Sequence, residues 1–192
     1  MFQEGSWFLK TVYWEARVIA APMTVRYCKH CGGRMPFACS GRFRINAQQK
    51  RLDIWLIYKC SACDTTWNLP VHERISPQAL PQEMLSRYTN NDEELALLHA
   101  TDTALLKQNG SEPGACEVSI AGEEADLSEE TEIRLTAKLP TGIRIAAILR
   151  EKLKLSRSAY ERMCADGNIV CLSGHDLQKG KLNGDIIVQI KP

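Results

Sequence analysis

Four of the eight cysteines fall in two C-x-x-C pairs, Cys28-Lys29-His30-Cys31 and Cys60-Ser61-Ala62-Cys63. Zinc in structural sites takes four thiolate or imidazole ligands in a tetrahedron, and each such turn offers two of them from one tight loop. The pairs therefore predict one structural Zn2+ held by Cys28, Cys31, Cys60 and Cys63. Four cysteines close the coordination shell, whereas a catalytic zinc keeps a position open for water. A redox role would need one pair beside a βαβ pattern, which is not evident around either. Gly32-Gly33 allows the positive φ that turns backbone amides toward the sulfurs, and Asp64 is a tolerable substitute after the second pair. The stretch between the pairs is longer than the usual ~15–20 residues of such ribbons, and a hairpin is expected to fill it. Arg26, Lys29, Arg34 and Lys59 stand close enough in sequence to offset the negative charge of four thiolates around a dication.

The other candidate side chains read as packing. Cys39 is expected to be a small buried residue, and Cys116, Cys164 and Cys171 have no metal spacing. His30, His72, His99 and His175 are scattered, with no H-E-x-x-H or similar pairing. Trp55 and Trp67 flank the second pair and are expected to cover the metal and the hairpin core. No nucleophile with a base, no paired carboxylates and no open metal can be assembled, so an enzyme is not expected.

The elements that must position the thiols lie in a chain of 192 residues, 44% apolar and 24% charged, which fits a globular protein and leaves out disordered and collagen-like classes. The net charge of +1 hides an asymmetry. Residues 23–75 carry nine Lys/Arg against three Asp/Glu, residues 76–139 four against thirteen, and residues 140–192 nine against five. The C-x-x-C pattern without a secretory signal suits a reducing cytoplasm, and no apolar run approaches the ~20 residues of a membrane helix. Because Met23 stands just before the first pair, residues 1–22 are expected to be an N-terminal extension produced by an early start codon.

Residues 23–75 read as the zinc-ribbon domain, with strands at Arg42 to Ala47 and Leu52 to Tyr58 joined through Gln48-Gln49-Lys50. Residues 76–139 form an acidic middle region: a short helix from Gln78 to Tyr88, a second from Asn91 or Asp92 to a stop at Asn109-Gly110, then strands Cys116 to Ile120 and Glu132 to Leu139 that pair as a hairpin. Pro140-Thr141-Gly142 opens a C-terminal module, residues 140–192. There Ile145, Ile148, Leu149 and Leu153 line one helical face with Arg144, Arg150 and Lys154 opposite. A second helix begins near Ser156 to Ser158, where Ser158-x-x-Glu161 has capping-box form, and ends at Gly167. Strands at Ile169 to Leu172 and Ile186 to Ile190 follow.

The order Arg144-Ile145 with Leu149, Ser156-Arg157-Ser158, Gly167-x-x-Val170, Ser173-Gly174 and Leu182-x-Gly184-Asp185-x-Ile187 resembles the S-four RNA-binding domain. Ala146 stands where that domain has an acidic residue and Ser173 where it has Asn. The resemblance implies binding of structured RNA, of a ribosomal or transfer-RNA kind, through Arg144, Arg157, Arg162, Lys179 and Lys181. From about Met23 the chain also resembles a bacterial family known as domain of unknown function 1062, through Cys28-x-x-Cys31, Arg44-Ile45-Asn46-Ala47, Leu52 to Tyr58, Cys60-x-x-Cys63, Trp67 and Asn91-Asp92. That resemblance implies no activity. The expectation is an α+β protein with a β-rich zinc ribbon, central helices and hairpin, and a small α+β module that binds RNA. The competing expectation is a protein adaptor that uses the same surfaces on a protein partner. No small-molecule substrate is evident.

Overall fold

Residues 9–48 and 50–192 are described in the computed structural model; the expectations that touch residues 1–8 and Gln49 lie outside them. The architecture is α+β, with two five-stranded sheets. The chain divides into two compact units, one spanning Val18–Glu117 and the other joining the segment before Val18 to Val118–Pro192. This replaces the expected division at 22/23, 75/76 and 139/140, because strand pairing crosses those points.

The clearest correction concerns the expected extension. Strand β1 (Lys10–Ala20) buries Val12, Trp14 and Ala16 on alternate positions, the signature of a strand with one face on a core. The first sheet is completed by β7 (Glu117–Gly122), β8 (Thr131–Ala137), β9 (Ile169–Cys171) and β10 (Ile186–Ile190), in the order β7-β1-β8-β10-β9. The expected hairpin between the strands now numbered β7 and β8 does not form. β1 lies between them, parallel to β8 from Lys10↔Thr131 to Ala16↔Ala137. β10 runs antiparallel to β8, setting Val188 opposite Ile133. Helices α4 (Ile145–Lys152) and α5 (Arg157–Ala165) bury Ile145, Ile148, Leu149 and Tyr160 in the same core as Trp14, Leu135 and Val188. The C-terminal residues therefore share one core with β1 and β8 and do not stand alone. The cap of α5 is Ser156, whose hydroxyl accepts from the Ala159 amide at 3.2 Å, while Glu161 pairs with Arg157 and makes no capping box.

In the other unit, β2 (Thr24–Cys28), β3 (Gly33–Gln48), β4 (Arg51–Cys60), β5 (Thr66–Ile75) and β6 (Glu112–Pro113) form an antiparallel sheet in the order β5-β4-β3-β2-β6. The expected hairpin is present, with Gln48 opposite Arg51 and Cys39 opposite Tyr58. Leu52, Ile54, Leu56 and Tyr58 of β4 are fully buried or nearly so, alternating with open positions as period two requires. Helices α1 (Gln82–Thr89), α2 (Glu93–Thr101) and α3 (Thr103–Gln108) contribute Tyr88, Leu95, Ala96, Ala100 and Leu106 to that side. The single helix expected after Asn91 is broken at Asp102, whose carboxylate caps α3 by accepting from the Ala104 and Leu105 amides at 3.0 and 2.9 Å.

Candidate functional site

The two C-x-x-C turns lie at strand ends that the sheet brings together. Cys28 ends β2 and Cys60 ends β4, and both strands pair with β3, with Gly33 opposite Cys28 and Phe37 opposite Cys60. Each turn closes in the same way: the Gly32 amide donates to the Cys28 carbonyl at 3.0 Å, and the Asp64 amide to the Cys60 carbonyl at 3.0 Å. Gly32 at φ +71 and Asp64 at φ +57 occupy the equivalent left-handed position in the two turns, as the glycine and its substitute were expected to do. The second turn is tied to β3 by the Ser61 amide and hydroxyl, both donating to the Pro36 carbonyl at 3.0 Å.

These turns bring all four sulfurs within 4.8 Å of one another. Cys28 Sγ and Cys63 Sγ are 3.6 Å apart, and Cys31 Sγ and Cys60 Sγ 3.9 Å. Metal–sulfur bonds of ~2.3 Å in a tetrahedron give sulfur–sulfur edges of about 3.8 Å. The set could hold a metal ion. Cys28 and Cys60 are buried, while Cys31 is exposed and Cys63 half-buried, so the cluster is anchored on the core and opens on one side. A hydrogen bond from the Cys31 amide draws the Cys28 thiol below its usual range. At Cys63 the Thr65 hydroxyl, 3.1 Å away, and the Thr65 amide lower the thiol to about 6. Hydrogen bonding with Cys63 and burial push Cys31 up to about 12. Backbone and hydroxyl donors thus favour thiolate at two of the four cysteines before any cation is counted.

Trp67 packs beside this cluster, 6.3 Å edge-on from Phe37 and 5.1 Å from Tyr58, with the Arg26 guanidinium 3.9 Å over its ring. Trp55 does not join it. The alternation of β4 sends Trp55 to the opposite face, where Arg44 lies 5.9 Å from its ring, so of the two tryptophans expected at the cysteines only Trp67 packs with their core. Cys39 is partly buried against the same core, and burial raises its thiol, in keeping with a packing role. Cys164 and Cys171 pack on the other core.

Two histidines described as scattered are joined in space. Tyr88 Oη lies 3.1 Å from His72 Nε2 and 2.9 Å from His99 Nε2, so one phenol bridges imidazoles from β5 and α2. Phe43 packs edge-on against Tyr88 at 4.9 Å. Burial, then the nearby His72, lowers His99 to about 4. A phenol can donate to only one imidazole, so the other must donate to it, and the chain of bonds is complete with both rings neutral. No sequence spacing marks this triad, since its members come from three elements.

In the other unit, a cavity of about 180 Å³ is lined by Arg144, Ala146, Ala147, Arg150, Arg157, Tyr160, Glu161 and Gln178. Of the five cations assigned to RNA from the sequence, the cavity takes Arg144 and Arg157. Lys181 pairs in a short bridge with Arg144, which brings its loop beside them. Lys179 is exposed in the turn capped by Asp176. Arg162, on the last turn of α5, is not among the lining residues. Arg150, which was not among the five, also lines the cavity. Its Nε is buried and has no hydrogen-bond partner, an orphan donor of a kind that native proteins seldom leave. Glu161 already engages Arg157 at 2.8 Å, an exposed pair that water weakens.

No helix of the described residues is long and apolar enough to cross a membrane. Comparison with curated proteins and with solved structures gives no match. Residues 45–175, more than half of the chain and including the second cysteine pair, the His–Tyr–His triad and most of the arginine cavity, match the family described as "Protein of unknown function (DUF1062)". The chain belongs to that family.

Proposed function

We propose that this protein is a non-catalytic binder of structured RNA that receives phosphates in the Arg144–Arg150–Arg157 cavity and carries one structural zinc in its Val18–Glu117 unit. The observation that carries the RNA reading is the convergence of three arginines on one concavity, one of them with a buried, unpartnered Nε at Arg150, and Gln178 beside them. Guanidiniums present several donors in a rigid fork that matches phosphate oxygens. Lys181, next to Arg144 through its bridge, extends the positive surface. The sequence resemblance of this segment to the S-four module supports the same reading.

The zinc reading rests on the ligand set. Thiolate-only coordination favours zinc over hard cations such as magnesium or calcium, and the sulfur separations of 3.6 and 3.9 Å bracket the edge of its tetrahedron. Bound there, the metal supplies a closed cross-link between the ends of β2 and β4. Cys28 and Cys60 would hold it from the core side and Cys31 and Cys63 from the open side.

The test is binding of a labelled RNA hairpin to the full chain and to Arg144→Ala/Arg157→Ala. Two lost phosphate contacts predict an affinity reduced by about tenfold or more at moderate salt. Equal affinity in both proteins refutes the reading, and capture of a protein in place of RNA from native purification favours an adaptor.

A further inference from the structure

The sheet of the Val18–Glu117 unit has two faces, and the helices occupy one. Tyr88, Leu95, Ala96 and Leu106 pack with Leu52, Ile54, Leu56 and Tyr58. The alternate residues of β4 are Arg51, Asp53, Trp55, Ile57 and Lys59, which point the other way. Trp55 and Ile57 are half-buried and belong to neither core of the unit.

Register fixes their neighbours. Arg44 on β3 and Pro70 on β5 stand opposite Trp55, Asn46 opposite Asp53, Gln48 opposite Arg51, and Asn68 opposite Ile57. Residues directly opposite share a face, so a flat ring lies at the centre of a surface set with amides and cations. The Arg44 guanidinium is 5.9 Å from the Trp55 ring. Arg44 and Lys59 are exposed, and Arg51 donates to the Arg74 carbonyl at 3.0 Å. The one carboxylate among these positions, Asp53, accepts from the Arg74 amide at 2.7 Å.

An indole flanked by guanidinium and amide groups on an open sheet is the chemistry that holds unpaired bases: the ring stacks on any base, amides meet base edges and cations meet phosphates. An acidic peptide would satisfy the charge but leave the indole and three amides without a role. We propose that the open face of β3, β4 and β5 is a platform for single-stranded RNA, with Trp55 stacking on a base and Arg44 and Lys59 neutralising the backbone. This goes beyond the arginine cavity, belongs to the other unit and does not depend on it.

The test is fluorescence anisotropy of a labelled oligouridylate of about 12 nucleotides, a length that spans such platforms, with the full metal-loaded chain. Binding should appear at about 50 mM salt and weaken as salt rises. Trp55→Ala should lower affinity at least about fivefold while Trp55→Phe stays near the wild type. Arg44→Glu with Lys59→Glu, both at exposed positions, should lower it about tenfold or more in protein that keeps its metal and its fold. Arg144→Ala/Arg157→Ala should leave oligouridylate binding intact, which separates this platform from the cavity. Absence of binding at low salt overturns the proposal, as does unchanged affinity in folded Trp55→Ala or in the charge-reversal variant. Competition by polyglutamate as strong as by unlabelled oligouridylate also overturns it.

Discussion

Cys28 Sγ and Cys63 Sγ lie 3.6 Å apart across 35 positions of sequence. The contact exists because β3 pairs with both β2 and β4, so the sheet register carries the two turns to one corner. The four-cysteine cluster is thus a property of the sheet.

Removing the metal should loosen that corner. Structural zinc sites bind with ~10–16 kcal/mol, comparable with the stability of a whole domain. Strong chelation, or Cys60→Ser at a fully buried ligand, should abolish the cooperative melting of the Val18–Glu117 unit followed by circular dichroism. A melt unchanged by chelator would show that the sheet does not need a metal.

Backbone strain at the two turns should be unequal. Gly32 has φ +71 and open space where a Cβ would go, so Gly32→Ala should cost about 1–2 kcal/mol from conformation alone. Asp64 already bears a side chain at φ +57, and Asp64→Gly should be neutral or slightly stabilising. Denaturant titration of the two metal-loaded variants checks both signs.

Trp14 is 1% exposed and its Nε1 donates to the Glu123 carbonyl at 2.7 Å. Trp14→Ala should therefore cost about 3–5 kcal/mol, the loss expected of a core residue. A change within about 0.5 kcal/mol, typical of surface positions, would mean that Lys10–Ala20 is dispensable.

The His72–Tyr88–His99 triad makes stability depend on pH. His99 titrates near 4 in the fold, against ~6.5 when unfolded, so the unfolded chain takes up the proton first. The stabilisation is present above about pH 6.5 and is lost as pH falls toward 4. Between pH 7 and 5 the wild type should lose about 1 kcal/mol more than His99→Gln, the full linkage of roughly 1.8 kcal/mol being reduced for the ring's partial exposure. Tyr88→Phe should cost ~1–3 kcal/mol at pH 7 by leaving two imidazole nitrogens unpaired. Chemical denaturation at the two pH values reads both, and parallel losses in wild type and His99→Gln would contradict the assignment.

Local signals made part of this legible. The cysteine pairs, the Arg42–Tyr58 hairpin and the apolar face of Ile145, Ile148 and Leu149 each lie within a short window whose periodicity or spacing names the element. What local pattern did not carry was long-range pairing. β1 joins β8 across more than a hundred positions, and nothing within Lys10–Ala20 says that it will separate β7 from β8. The same limit hid the triad and exchanged Arg162 for Arg150. Both arginines lie on short helices, but only the packing of α4 against α5 decides which one lines the cavity.

The most direct test of the RNA assignment is the slope of log affinity against log salt for a structured RNA, measured for the wild type and for Arg150→Met, which keeps the aliphatic stem and removes the charge. If Arg150 meets a phosphate, the magnitude of the slope should fall by about one and affinity should drop evenly across hairpins of different sequence. An unchanged slope with unchanged affinity would contradict the account.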